Sequence, residues 1–207
     1  MSAQSKSVQT TLAASSSSNL KLAFPTQKQK SRGHNASTLE VISPASYITT
    51  PGQNIEKARA QSRPTLSIKL LPPQTTPESP PKSYLAVSID VDAPFPSFPL
   101  LSPALHSMQT DLKPSSETDG DGWTELVSDV CPIAFWAPPA PPPISAPHRY
   151  VFMVWEQPDG VDEETIRKGM GLRGKVGLMQ RVKWDQSGFE AKFGLEKLVG
   201  GTYFVCG

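Results

Sequence analysis

Polar and apolar positions alternate most cleanly over Tyr84–Asp90 (YLAVSID). This period of two predicts a strand with Leu85, Val87 and Ile89 on one face and Tyr84, Ala86, Ser88 and Asp90 on the other. Tyr150–Trp155 (YVFMVW) is apolar throughout. That pattern predicts a strand buried on both faces, as in a sandwich core. Leu20–Phe24 and Thr65–Leu70 alternate more weakly and read as further strands, the first at an edge. Thr202–Cys206, after Gly200-Gly201, reads as the last strand. Helical patterning is short. It covers Asp162–Lys168 and Ser187–Phe193, the second stopped by Gly194. Gln53–Gln61 forms one or two helical turns or an irregular polar loop. Asp111–Gly122 is polar and turn-rich, and Glu125–Phe135 holds β-formers without a clear register. Many short strands, few helices and no internal repeat predict an all-β sandwich with small peripheral helices.

Proline sharpens the boundaries. The chain has 22 prolines, gathered in Leu71–Pro81, Pro94–Pro103 and Ala137–Pro147. Proline cannot donate to a ladder or sit inside a helix, so these stretches are rims and loops. With 207 residues and 37% hydrophobic content, the chain suits one domain over 19–207 behind a flexible end. Residues 1–18 are Ser/Thr/Gln-rich without an aromatic residue, which predicts a disordered arm. No acidic residue precedes Glu40, a composition shared with organellar transit peptides, so a mitochondrial address stands beside the cytoplasmic one. Asn35-Ala36-Ser37 is a glycosylation sequon without an export signal, and is read as chance.

Charge excludes some partners. Twenty basic and 19 acidic residues leave +1, with no Lys/Arg block. Neither nucleic acid nor more than peripheral membrane contact is expected. No apolar run approaches the roughly 20 residues needed to span a bilayer. Two cysteines, Cys131 and Cys206, lack metal spacing and fit a reducing compartment or a single disulfide.

Candidate chemistry rests on few residues. Of three histidines, His34 lies in a polar loop and is expected to be exposed and inert. His148 sits where a proline loop meets the apolar strand, and His106 follows another proline-rich loop. Asp90 ends the alternating strand and Asp92 follows at the same-face spacing. Two imidazoles, a carboxylate and the phenol of Tyr150 could hold a phosphate-like anion, because a protonated imidazole donates through both nitrogens. The plainer alternative is that Asp90 caps a turn and His148 packs beneath a loop. No GxSxG elbow or metal-ligand cluster occurs. Gly169–Gly174 (GMGLRG) follows no strand and lacks the P-loop lysine. The four tryptophans are scattered and read as core or rim packing.

At these residues the chain resembles the phosphatidylethanolamine-binding protein family, also called the Raf-kinase-inhibitor or carboxypeptidase-Y-inhibitor family. Asp90-Val91-Asp92-Ala93-Pro94 resembles its first signature, and Pro141-Pro142 through His148-Arg149-Tyr150 its second. Phe189–Tyr203 resembles its late helix, glycine turn and terminal strand; Thr49–Pro51 and Arg63–Thr65 resemble earlier landmarks. The resemblance implies a Greek-key β-sandwich with a shallow cavity for anions and phospholipid head groups. Carried over by position, Asp90, Asp92, His106, Pro141, His148 and Tyr150 contact the ligand, while Ala93, Pro94 and Pro142 shape the cavity. Ala93-Pro94 is then a candidate cis bond. Val91, Ser107 and Ala140 depart from the family pattern. Nothing after Gly207 corresponds to the C-terminal helix of animal members, so a more open cavity is expected.

The resemblance implies a non-catalytic binding protein of the fungal type. It would take a phosphorylated head group or other small anion and touch a protease or kinase, most concretely as a serine carboxypeptidase inhibitor. No cofactor, metal or catalytic residue is expected. The alternative is an accessory in secondary-metabolite biosynthesis that promotes dimerisation of anhydride-type intermediates. There His106, His148 and Asp90 would polarise a carboxylate or move a proton.

Overall fold

The computed structural model describes residues 4–14, 18–30, 39–43, 45–69 and 82–207. His34, the sequon at Asn35 and the proline-rich loop 72–81 lie outside the described residues. The strands, in chain order, are β1 (Leu20–Phe24), β2 (Gln27–Lys30), β3 (Leu39–Ser43), β4 (Ser46–Ile48), β5 (Gln53–Asn54), β6 (Thr65–Lys69), β7 (Tyr84–Asp90), β8 (Ala104–Thr118), β9 (Trp123–Val127), β10 (His148–Glu156) and β11 (Leu198–Cys206). The helices are α1 (Lys6–Ala13), α2 (Glu163–Met170), α3 (Leu178–Arg181) and α4 (Gln186–Phe193). Of Gln53–Gln61, only Arg59–Gln61 forms a 3-10 turn, while Gln53–Asn54 is strand β5.

Nine strands are hydrogen-bonded in the order β4-β1-β6-β9-β8-β7-β10-β11-β5, with β2 and β3 as a separate ribbon. The ladder folds on itself along β8, which pairs with β7 through its first half and with β9 through its second. The two layers face one another across one core. Leu20, Leu22, Phe24, Ile48, Leu66 and Ile68 pack from one side, against Tyr84, Tyr150, Phe152, Val154 and Phe204 from the other. Phe24 meets Phe204 edge to face at 5.5 Å. This is the strand-dominated sandwich expected, with few short helices.

The apolar run in β10 is explained by a second core behind the first. Leu85, Val87 and Ile89 of β7 and Val151, Met153 and Trp155 of β10 pack under Val8, Ile166, Trp184, Phe189 and Phe193 of the helical layer. Each such fully buried side chain contributes about 1.5–3 kcal/mol relative to exposure. The split of β7 into two faces follows the expected alternation, and all seven of its residues are buried.

The helix stops are local. Asp162 caps α2 by accepting from Thr165 N–H at 2.8 Å, and Gly171 ends it with φ 64°. Gly169–Gly174 is therefore the end of a helix. Asp185 caps α4 through Gly188 N–H at 2.9 Å, and Gly194 ends it with φ 63°.

Two expectations are corrected. Residues 1–18 were expected to form a disordered arm, yet Lys6–Ala13 is a helix packed on β10 and β11. Ser5 caps it by accepting from Val8 N–H at 3.2 Å, Val8 is buried, and Ser5 and Ser7 donate to the Glu190 carboxylate at 2.9 and 3.2 Å. A Cβ on Gly201 would collide with the Thr11 side chain, so the glycine leaves the room that seats α1. Asp111–Gly122 was expected to be turn-rich, but β8 runs through it to Thr118. A bulge explains the disguise: Tyr84 faces Leu112 and Ala86 faces Gln109, leaving one extra residue on β8. Asp111 takes φ 55° there, tied to Gln157 by hydrogen bonds of 2.8 and 3.0 Å.

Both cysteines are free thiols, Cys131 exposed and Cys206 buried. Trp155 and Trp184 are core residues, and Trp123 lies beneath Lys21 and Lys69. Among the described residues no helix is long and apolar enough to cross a membrane.

Candidate functional site

The antiparallel pairing of β7 with β10 sets Asp90 opposite Tyr150 at one end of the sheet. The chain leaves β7 through Asp92 and the cis Ala93-Pro94 bond, and enters β10 from the proline-rich loop 138–147. A second cis bond, Ser102-Pro103, precedes β8, which brings His106 alongside.

Asp90 and His148 meet in the interior. His148 Nδ1–H donates to Asp90 Oδ2 at 2.8 Å, while Asp90 Oδ1 accepts from Asp92 N–H at 2.8 Å. They are 4% and 2% exposed, so both are screened from bulk water. Asp90 thus both shapes the turn and orients the imidazole, which joins the two readings open from sequence. The remaining nitrogen, Nε2, lies 3.0 Å from Ser145 Oγ.

Asp92 has a different duty. Its Oδ2 accepts from Arg149 N–H and Nε–H at 2.8 and 2.9 Å, and its Oδ1 from Nη2–H at 2.7 Å. This forked pairing, with a backbone donor added, fills the carboxylate, so Asp92 holds Arg149. The Arg149 pKa is raised, first by that hydrogen bond.

His106 is partly buried. Its Nδ1 lies 2.5 Å from the Ala137 carbonyl oxygen, and its ring stands edge-on to Tyr150 with centroids 5.0 Å apart. A carbonyl oxygen only accepts, so Nδ1 carries the proton and Nε2 the lone pair. Burial lowers the His106 pKa, and the charges of Arg181 and His148 add to this; the Ala137 bond and Asp90 oppose it. The ring is therefore neutral near pH 7, and Nε2 is an acceptor. Among the described residues it has no hydrogen-bond partner.

Tyr150 is buried, stacked on Phe204 with centroids 5.1 Å apart. Burial raises its pKa, and the charges of Asp90, Cys206 and Asp92 raise it further against an opposing backbone bond from Ala140. The phenol stays protonated and can donate. Pro141 is buried and Pro142 partly so, and both belong to the loop that roofs His148. Ser107 donates to or accepts from Ser88 at 2.7 Å, so this departure from the family pattern serves strand pairing.

The structure therefore gathers Asp90, His106, His148 and Tyr150 at one end and turns Asp92 toward Arg149. Two further residues were not singled out from sequence. Arg181 is 9% exposed, and its guanidinium donates to the carbonyls of Leu105, His106 and Phe135 at 3.1, 3.0 and 2.9 Å. It pins the start of β8 beside the site, and burial lowers its pKa. Ser145 is the other. No spacing rule links a loop serine to a histidine three residues on, because the loop conformation decides the contact.

A family model described as phosphatidylethanolamine-binding protein matches residues 42–203. The carboxypeptidase Y inhibitor of Saccharomyces cerevisiae is 33% identical over 93 residues, 41% of this chain and 42% of that protein. The match thus spans less than half of that relative's length. Among solved structures, that of carboxypeptidase Y inhibitor complexed with its cognate proteinase superposes with a TM-score of 0.59 at 21% identity, covering 92% of this chain and 83% of the other. Phosphatidylethanolamine-binding protein from Plasmodium vivax superposes with a TM-score of 0.54 at 15% identity, covering 94% and 87%. At these identities the structural likeness is one of fold.

Proposed function

The chain belongs to the phosphatidylethanolamine-binding protein family, and from that premise we propose a binding protein with two contacts. Its site at the Asp90 end takes a small phosphorylated head group, and the rim of that site docks on a serine carboxypeptidase. The observation that carries the head-group reading is the division of labour between His106 and Tyr150. The protonated phenol offers a donor to a phosphate oxygen, and the neutral His106 offers Nε2 as an acceptor for the ammonium or hydroxyl of the head group. A bare anion would satisfy only the first of these.

The protease reading draws on the carboxypeptidase Y inhibitor similarity. It also draws on the rim, where Phe98, Leu100 and Ile144 are 59%, 56% and 92% exposed on the two loops that flank the site. Apolar side chains left in water beside a polar centre suit a protein contact.

Calorimetric titration with phosphorylethanolamine tests the first contact. Saturable heat with one site is expected, and His106→Ala should weaken it at least tenfold. Unchanged affinity in that variant overturns the assignment. For the second contact, an equimolar amount of the protein should slow peptide hydrolysis by a serine carboxypeptidase. Full activity at tenfold excess removes the protease from the proposal.

A further inference from the structure

The Asp90–His148 pair continues to a third group. We propose that Ser145, His148 and Asp90 form a nucleophile, base and orienter, and that Ser145 is acylated by short neutral carboxylic esters or thioesters. This goes beyond the binding role and does not depend on it.

The geometry has the connectivity such a relay needs. Asp90 Oδ2 accepts from His148 Nδ1–H at 2.8 Å, so that in the neutral ring the lone pair is on Nε2. Nε2 lies 3.0 Å from Ser145 Oγ. The Ser145 hydroxyl is also 2.9 Å from the Ala146 carbonyl oxygen. It has one proton for these two contacts: given to the Ala146 carbonyl it leaves the relay at rest, and given to a neutral His148 Nε2 it engages the relay. Burial is graded along the relay: Asp90 and His148 are enclosed, while Ser145 is partly exposed and open to a substrate. Pro141, Pro142, Pro143 and Pro147 bracket the serine, and fixed φ angles limit how far it can wander from the imidazole. Ile144, next to the nucleophile and 92% exposed, offers an apolar flank, which favours a short uncharged acyl group.

The chemistry balances with water alone. Ser145 Oγ bonds to the acyl carbon as its proton passes to His148 Nε2. The carbon–oxygen or carbon–sulfur bond breaks, and the leaving group departs with that proton. Water then attacks the acyl-serine, gives a proton to Nε2, and the acid is released as Ser145 regains its hydroxyl. Ser145 N–H donates to Pro142 O at 2.9 Å and cannot stabilise the oxyanion. Losing one oxyanion donor costs roughly 10²–10³ in rate. Acylation is therefore expected to be slow, and a trapped adduct reads it better than turnover.

The full chain is treated with an alkyl fluorophosphonate and followed by intact mass and peptide mapping. One adduct on Ser145 is expected, absent in Ser145→Ala. In a Ser145→Cys variant the thiol beside His148 should react with iodoacetamide at pH 6 at least tenfold faster than the exposed Cys131 thiol. This second variant leaves the buried pair untouched, so folding does not confound it. No adduct at Ser145 after an exposure roughly a thousandfold longer than one that fully labels a serine carboxypeptidase overturns the proposal. So does a Ser145→Cys thiol no faster than that of Cys131. A protein that binds phosphorylethanolamine yet resists the probe keeps its binding role and loses the relay.

Discussion

Asp90 and Asp92 lie two residues apart, are equally buried, and each bonds a basic residue at the mouth of β10. They nevertheless do opposite work. Asp92 meets a guanidinium whose side chain is 44% exposed, and its three hydrogen bonds close the strand end like a clasp. Asp90 meets an imidazole that is hidden from water and has a second nitrogen to use. One carboxylate ends in a permanent cation; the other orients a group that can give or take a proton. Neighbouring acids on one signature stretch are thus divided into clasp and orienter by the partner that the facing strand supplies. Resemblance in the signature alone does not make that division.

The largest effect expected from breaking this contrast is at Asp90. Asp90→Ala removes the acceptor for a buried imidazole and for Asp92 N–H together, and should cost about 3 kcal/mol in urea unfolding. Asp92→Ala should cost less, about 2 kcal/mol, because Arg149 can turn to water and only its backbone N–H is left without a partner. Equal losses at the two positions would erase the distinction. The smallest effect is sharpest in sign. His106 has a lowered pKa in the folded chain, so on acidification the unfolded chain takes up its proton first. Stability from this group is complete above the ordinary histidine value of about 6.5 and falls below it. Stability should therefore fall as the pH drops below 6.5, and His106→Gln should remove that portion of the slope in paired urea titrations.

Much of this was legible in the residues. Period-two alternation fixed both faces of β7, and the unbroken apolar run of β10 announced two buried faces. Asp162, Asp185, Gly171 and Gly194 are local cap signals that need no tertiary context. What escaped notice depends on contacts distant in sequence. Helix α1 has a mixed composition and earns its place from the seat that Gly201 leaves and from Glu190 of α4. The β8 strand hid behind Pro114 and a polar, partly solvent-facing half. His106 stands beside Tyr150, but its neutral state depends on burial, which its sequence neighbours do not reveal. Ser145 depends on the fold of a proline loop.

The continuity of β8 has a mechanical consequence. A sandwich whose layers are joined only by loops can part along the core like two boards. Here one strand is laced into both ladders, so prising the layers apart requires tearing β8 from β7 or from β9. The bulge at Asp111 is the crease about which it bends, and the side-chain bonds to Gln157 fasten the crease to the end of β10. A pull applied between β6 and β10 should therefore meet a single force peak rather than two.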